Sequence, residues 1–452
     1  MQLGLNGKKL RGIFAGGLSG WILDAYDLSA MFLLVPVIAT LFFPAGDLIL
    51  AIIGAFAIYF ISLIFRPVGG LIFGRFADKR GRKMAMVITL IGLGIIIFST
   101  GLLPTYAQIG IAAPIFLALF RMITGVFAGG EYGNSSSIVT ESVNTKYRGR
   151  VGSLLQGGYP IGYALAGGVY LSLRTLYGSS FISAAYGAGW RVFFFIGIIP
   201  VIVGLIIRLR MPESYLWSDI SKKKKLDPHP IRTVFTNKQY RFSFFVGVLA
   251  MTGIAWIYSL TLGFYPTTLP EFFGIGFPDF LYIVIVAILT SLLGYFSSGY
   301  ISDMIGRKKA LYIFSGLAII LAFPTMYGMF TGAYGILMAG FLASVLAFVT
   351  TGAYGVIPAY LAEKFPTRVR GTGVGISFNG GFIVGSWSSV IILAAVGAVN
   401  PLTNTTNVST LHAALGSFWW ITAIGIIVGE LFILLSALLS KETYKEDLSK
   451  IK

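Results

Sequence analysis

Gly74-Arg-Phe-Ala-Asp78-Lys-Arg-Gly81-Arg82-Lys83 returns 225 residues later as Gly299-Tyr-Ile-Ser-Asp303-Met-Ile-Gly306-Arg307-Lys308. Two more registrations lie at an offset of 222. Glu141 with Arg148-Gly149 matches Glu363 with Arg370-Gly371, and Gly130-Glu-Tyr-Gly133 matches Gly352-Ala-Tyr-Gly355. Offsets that agree within three residues mark an internal repeat. The expected organisation is a first half over 1–210, a polar linker over 211–241 that carries Lys222 to Lys225, a second half over 242–440 and a tail over 441–452. Parallel repeats of this kind place a binding site where the halves meet.

The solvent for both halves is lipid. Of 452 residues 56% are hydrophobic and only 11% charged, with a mean hydropathy of +0.83; an ordinary soluble domain carries about 25% charged residues. Apolar stretches long enough to cross ~30 Å of hydrocarbon are expected at roughly 13–41, 49–75, 84–103, 111–139, 151–174, 190–210, 242–266, 279–301, 310–330, 334–361, 372–398 and 413–439. The expectation is an all-α membrane protein with twelve transmembrane helices in two pseudo-symmetric six-helix bundles. The first stretch is too long for a signal peptide and contains Asp24 and Asp27. With no Cys, and His229 and His412 alone, thiol chemistry is excluded and neither a metal nor a cofactor is expected.

The net charge of +17 is a topology signal. Thirty of the thirty-four Lys and Arg fall at the chain ends, in the linker and in every second loop, all on one side of the expected membrane. By the positive-inside rule both termini and the linker are cytoplasmic, in a multi-pass protein of the cell membrane. The basic surface meets anionic lipid, and no nucleic-acid partner is expected. The chain is expected to be a monomer.

The repeated loop resembles the signature of the major facilitator superfamily, and the resemblance covers the whole chain. It implies a cytoplasmic gate built from Gly74, Asp78, Arg82, Asp303, Arg307, Glu141, Arg148, Glu363 and Arg370. Gly74 lets its helix approach a neighbour closely, Asp78 accepts hydrogen bonds from a helix N-terminus, and the cations pair with the acids. Pro212-Glu213-Ser214 after the sixth span also resembles a superfamily element.

Seven ionisable residues fall inside the expected spans: Asp24, Asp27, Arg66, Arg121, Glu131, Arg191 and Glu430. Each costs roughly 2.5–3.5 kcal/mol at a helix centre, so function is the default reading. Six belong to the first half, and the repeat partners of Arg121 and Glu131 are Ala343 and Ala353. Counting 1.5 Å per residue from the basic end puts Asp24 and Arg66 at ~18 Å, Glu131 at ~15 Å and Arg121 near ~30 Å. Three acids and two bases then leave one carboxyl without a full counter-charge, ready to hold a proton. Asp24, Asp27, Glu131 and Arg121 are the proton-coupling candidates. Arg191 reads as an outer anchor and Glu430 as a helix-packing contact.

Asp24-Ala-Tyr-Asp27 resembles an element of sialate, aromatic-acid and phosphate proton symporters, and Arg66-Pro67-Val-Gly69-Gly70 one of metabolite:proton and sialate:proton symporters. Gly130-Glu131-Tyr132-Gly133-Asn-Ser135-Ser136, with Glu141-Ser142, resembles the fourth span of the sialate branch. The Arg121 to Glu141 spacing resembles sugar porters. The resemblance implies proton-coupled symport of a small organic acid anion by alternating access, with Arg66 as its counter-charge. Gly-Gly-Glu-Tyr-Gly differs from the acidic element of phosphate symporters, and the span-seven Gln-Gln of sugar porters is missing, which disfavours phosphate and neutral sugars. A proton-driven drug or metabolite exporter is the other transport reading; an enzyme would need a nucleophile and base that neither His is placed to supply. Further binding candidates are Gln156 and Asn379, which match at an offset of 223, and the ring or hydroxyl groups of Tyr132, Tyr159, Tyr258 and Tyr354. Asn404 and Asn407 stand in outer-loop glycosylation patterns.

Overall fold

The structure, a computed structural model, describes residues 7–44, 48–263, 279–330, 335–399 and 418–448, together with Tyr265, Leu269, Gly276 and Ile451. Asn404, Asn407 and His412 lie outside the described residues. Every regular element among the described residues is helical, as an apolar solvent demands, because only a helix or a closed barrel satisfies its own backbone there. In the first half these are α1 Gly7–Leu33, α2 Val35–Phe42, α3 Leu48–Arg80, α4 Arg82–Thr100, α5 Tyr106–Ile109, α6 Ala112–Glu141, α7 Arg148–Gln156, α8 Gly158–Tyr177, α9 Gly189–Ile196 and α10 Ile198–Arg210. The linker holds α11 Tyr215–Lys222 and α12 Pro230–Thr236. The second half has α13 Lys238–Leu260, α14 Asp279–Ile305, α15 Arg307–Phe330, α16 Gly335–Ala362, α17 Arg370–Gly380, α18 Phe382–Gly385, α19 Ser388–Val399 and α20 Phe418–Leu439.

Among the described residues ten helices are long and apolar enough to cross a membrane, or eleven if the bent pair α1–α2 counts as one span. Two differences from the sequence expectation have local causes. The first expected span is two helices that meet at 61° around Leu34. Pro36, in the first turn of α2, lacks the N–H that would continue α1. The fifth is α7 followed by α8, which is not among the ten, because its glycines and Tyr159, Tyr163, Tyr170 and Tyr177 dilute its apolar character.

Burial is inverted relative to a soluble protein. Ile72, Ile95, Leu293, Ile320 and Leu438 point outward, while Asp24, Arg66, Arg121 and Glu131 are fully buried. Helices of the two chain halves meet in two equivalent pairs, α3 against α17 and α14 against α7. Glycine makes the first approach possible: a Cβ at Gly74 would lie 2.8 Å from the Thr372 Cα, and one at Gly70 2.9 Å from the Gly375 backbone. At each repeated loop a glycine turns one helix into the next, Gly81 and Gly306 both with φ +108, a conformation that L side chains avoid.

Candidate functional site

Buried charges form two groups, one at the loop end that carries the repeated motifs, where the chain halves meet, and one in the middle of the first half's helices. At the loop end Asp78, the last turn of α3, accepts from the backbone N–H of Gly371 at 3.0 Å and of Thr372 at 2.8 Å, capping α17. Asp303 of α14 caps α7 in the same way, accepting from the N–H of Gly149 at 2.8 Å and Arg150 at 2.9 Å. Each aspartate thus satisfies the orphan donors of a helix from the other chain half. Behind them Arg82 reaches Asp78 at 3.0 Å and Glu141 at 3.4 Å, and Arg307 reaches Asp303 at 2.7 Å and Glu363 at 2.9 Å. Arg370 crosses to Glu141 and Arg148 to Glu363, each at 2.8 Å. All nine gate candidates therefore gather at this end.

Sequence reading missed half of the support for this lattice. Glu213 accepts from the Arg82 and Lys83 amides, and Glu442 accepts from those of Arg307 and Lys308. Ser214 donates to Glu141 and Thr443 to Glu363, and Trp217 and Tyr444 donate to the Asp78 and Asp303 carbonyls. Lys441-Glu442-Thr443 is therefore the tail's equivalent of Pro212-Glu213-Ser214, hidden by the missing proline. The tail also closes over the seam: the Glu446 and Leu448 carbonyls accept from Arg148 at 3.2 Å and Arg370 at 3.3 Å. Beside it Lys364 stands 4.0 Å over the Tyr360 ring and donates to Ser440 at 2.9 Å. Burial pushes its ammonium down to about 8.

In the middle of the helices, α1 presents Asp24 and Asp27 at i, i+3, one above the other on one face. Arg66 of α3 grips Asp24 with both terminal nitrogens, Nη1 at 3.0 Å from Oδ2 and Nη2 against Oδ1. Nη1 of Arg121, from α6, lies 2.9 Å from both oxygens of Asp27, and its Nη2 donates to Thr100 at 3.2 Å. Glu131 is held by Arg208 of α10, with Nη1 3.0 Å from Oε2, and accepts from Thr89 at 2.7 Å and Ser135 at 2.9 Å. Arg208 also donates to the Gly16 and Met86 carbonyls, tying α1, α4, α6 and α10 together.

This corrects the expected count of three acids and two bases. Arg208 supplies the third base, so no carboxyl of the cluster lacks a partner. It was counted among the basic residues of the loops because it lies in the last turn of α10. Side chains lean toward the helix N-terminus, and that rule turns Arg208 back into the core. Arg191 donates to the Gly101 and Leu103 carbonyls and holds the loop after α4. Glu430 is buried beside Ser315 with no hydrogen-bond partner of ordinary geometry among the described residues.

Beside the Asp24–Arg66 pair an aromatic centre closes the space between the chain halves. A void of about 10 Å³, room for one water at most, is lined in part by Tyr59, Tyr159, Tyr258, Tyr354, Phe382 and Ser386. Tyr159 meets Tyr258 edge-on at 5.1 Å. Tyr132 and Gln156 sit behind this wall: Tyr132 stacks on Phe378 at 3.5 Å, and the Gln156 amide lies beside Tyr354 without a hydrogen bond of ordinary geometry. Asn379 links the two halves: its amide nitrogen donates to the Gly129 carbonyl at 2.8 Å and the Gly375 carbonyl at 2.7 Å, while its Oδ1 is buried with no partner among the described residues. Tyr59, Phe378 and Phe382 were not singled out from sequence, because 15% aromatic residues leave no contrast. The arrangement is a tightly filled, two-sided chamber with a buried ion pair at its edge, closed at the motif-bearing end.

The profile of the Major Facilitator Superfamily matches residues 45–389. The inner membrane metabolite transport protein YhjE of Escherichia coli (strain K12) is 34% identical over 355 residues, which are 76% of this chain and 78% of that protein. A putative metabolite transport protein of Haemophilus influenzae is 31% identical over 410 residues, 85% of each chain. A proline/betaine transporter of Escherichia coli (strain K12) is 28% identical over 382 residues, 83% of this chain and 75% of that one. Among solved structures the proton:xylose symporter XylE bound to 6-bromo-6-deoxy-D-glucose aligns over 99% of both chains with a TM-score of 0.75 at 19% identity, a likeness of fold.

Proposed function

The chain belongs to the Major Facilitator Superfamily of membrane transporters, and from that premise we propose that it is a proton-coupled symporter carrying a small organic acid anion inward by alternating access. The proposed frame has twelve spans in two six-helix bundles, with the motif-bearing end, both termini and the linker on the cytoplasmic side of the cell membrane. The placement of twenty-nine basic residues on that side, with Arg208 set aside, supports this orientation.

The observation that carries the reading is the buried, two-pronged Asp24–Arg66 pair beside the central void. In a dry chamber net charge is costly, and removing one partner of a buried pair costs about 3–5 kcal/mol. An anion that enters alone adds a second negative charge next to Asp24. A proton that arrives alone leaves Arg66 uncompensated. Arriving together they leave the chamber neutral: the proton resides on Asp24, and the substrate carboxylate takes its place on the guanidinium fork. Once the cytoplasmic end opens and water enters, Asp24 releases its proton, re-engages Arg66 and displaces the anion. Asp27–Arg121 stands beside this pair, and Glu131–Arg208 holds the helices that carry both.

A second reading rests on the tyrosine-rich wall. Ring faces attract quaternary ammonium groups, which suits a zwitterion such as the betaine named for one relative.

The test is uptake into proteoliposomes under an imposed pH gradient, with ligands first found by thermal shift among benzoate, lactate, glycine betaine and phosphate at two pH values. Asp24→Asn is expected to abolish gradient-driven accumulation while retaining substrate exchange. Full accumulation by that variant overturns the proton role.

A further inference from the structure

We propose that Ser386 is a substrate-binding residue whose hydroxyl, with that of Tyr258, recognises a hydroxyl group on the transported acid. The chamber then takes hydroxylated carboxylates in preference to apolar carboxylates of the same size. The inference rests on the assignment of Arg66 as the anion's counter-charge and deepens it by naming the chemistry of the substrate's body.

Three serines stand close together where α18 and α19 run along α13, and they are used differently. Ser388 donates to the Trp256 carbonyl and Ser389 to the Ser259 carbonyl, each at 2.7 Å. The Ser386 hydroxyl is buried with no hydrogen-bond partner among the described residues, and Ser386 lines the central void. The helical pattern lapses here: α18 ends at Gly385, α19 starts at Ser388, and the Trp387 N–H reaches back only to Val384. A Cβ at Gly385 would lie 2.5 Å from the Thr252 carbonyl oxygen and 2.7 Å from the Ala255 Cβ, so glycine is what brings Ser386 this close to α13. From α13 itself Tyr258 lines the same void, and its hydroxyl is buried without a partner of ordinary geometry among the described residues. One helical turn before Ser386, Phe382 also lines the void and stands 5.6 Å from the Arg66 guanidinium carbon. A turn rises only ~5.4 Å, so an anion held by Arg66 brings the carbons next to its carboxylate to these two hydroxyls.

Buried polar groups are nearly always paired. Water can pair the two hydroxyls while the chamber is open; once the halves close and water leaves, the ligand must. A substrate hydroxyl can accept from one of them and donate to the other. A hydrogen in its place leaves both shut away from water and unbonded. Sites of this kind reject the analogue that lacks the hydroxyl. The contrast is between two ligands in one closed state, so it enters their relative affinity directly.

Lactate and propionate, which share a carbon skeleton and differ by one hydroxyl, serve as probes. Their binding to the full-length chain is read by titration calorimetry at one pH. The wild type is expected to bind lactate roughly tenfold more tightly. Ser386→Ala should reduce that preference about 2- to 12-fold, while propionate binds no worse and the melting temperature does not fall. Ser388→Ala, which loses its bond to the Trp256 carbonyl, should lower the melting temperature and leave the preference alone. A wild type that binds the two acids equally, or binds neither, overturns the inference. So does an unchanged preference in Ser386→Ala, the result expected if one bound water satisfies that hydroxyl in every state. The double variant Asp24→Asn with Arg66→Gln separates the two levels. If it loses both acids while Ser386→Ala changes nothing, only the role of Ser386 falls; if it binds both as the wild type does, the assignment of Arg66 falls first.

Discussion

The loop end and the middle of this molecule are built on opposite plans. At the loop end the main interactions occur twice: Asp78 and Asp303 cap helices of the opposite half, Arg82 and Arg307 back them, and Glu213 and Glu442 brace the turns. In the middle nothing is doubled. All three acid–base pairs of the middle belong to the first half of the chain, and the second half contributes aromatic rings and Glu430, which forms no ion pair among the described residues. A device that must close two rocking bodies against each other benefits from symmetry, because equal latches share the load. A device that must distinguish a proton from a substrate needs unlike partners. On the proposed function the contrast places closure at the doubled end and coupling at the single one.

Breaking the central pair should produce the largest effect. Arg66→Gln strands Asp24 in a dry site, and the expected loss of stability is about 3–5 kcal/mol. Asp24→Asn combined with Arg66→Gln removes both charges and should recover most of it, while transport stays absent in both variants. Thermal melts of the single and double variants at one pH check this. Equal losses for the two would mean that the residues are not energetically paired, and the coupling scheme built on them would fail.

Breaking the latch should give a smaller and, above all, a symmetric effect. A hydrogen bond to a charged group contributes about 1.5–3 kcal/mol, and asparagine retains one of the two acceptors at each site. Because the chain has no cysteine, Ser153→Cys, buried at the closed end, reports opening by its reaction with a membrane-impermeant thiol reagent. Asp78→Asn and Asp303→Asn should each raise that rate roughly tenfold, and Glu213→Gln and Glu442→Gln by less but equally. A large difference between the members of either couple would show that the two latches do not share the load.

The two plans were not equally readable in the sequence. Doubling made the loop end legible, since a motif that recurs at a fixed offset announces itself even where single residues vary. Its tail half was still missed, because Lys441 replaces the proline that marks Pro212-Glu213-Ser214. In the middle the three acids and two of their partners, Arg66 and Arg121, were legible through the cost of charge in lipid, but the third partner was not. Arg208 looks like any loop cation until the lean of helical side chains is considered. Phe382 and Tyr59 are unremarkable among thirty-seven phenylalanines and twenty-three tyrosines. Gln156 and Asn379 were located by their polarity alone, which says nothing of whether they face a void or fasten two helices.

The smallest expected effect sharpens the comparison, because it concerns a place where the loop end is not doubled. The repeat partner of Lys364 is Ser142, so only the second half carries a buried cation there. Burial holds the Lys364 ammonium at about 8, below its ordinary value of 10.5. When the end opens and Lys364 meets water, its affinity for a proton rises toward the ordinary value. Between about pH 8 and the ordinary 10.5 the open form therefore binds more protons than the closed one. The closed end accordingly gains stability as pH rises through that window, and below it the full cost of the buried charge remains. The Ser153→Cys reaction rate, corrected for thiolate ionisation, should fall across this range, and Lys364→Gln should flatten the dependence while leaving the latch carboxylates in place. A slope that survives Lys364→Gln would assign the pH response to the latch that both halves share and remove the one asymmetry proposed for this end.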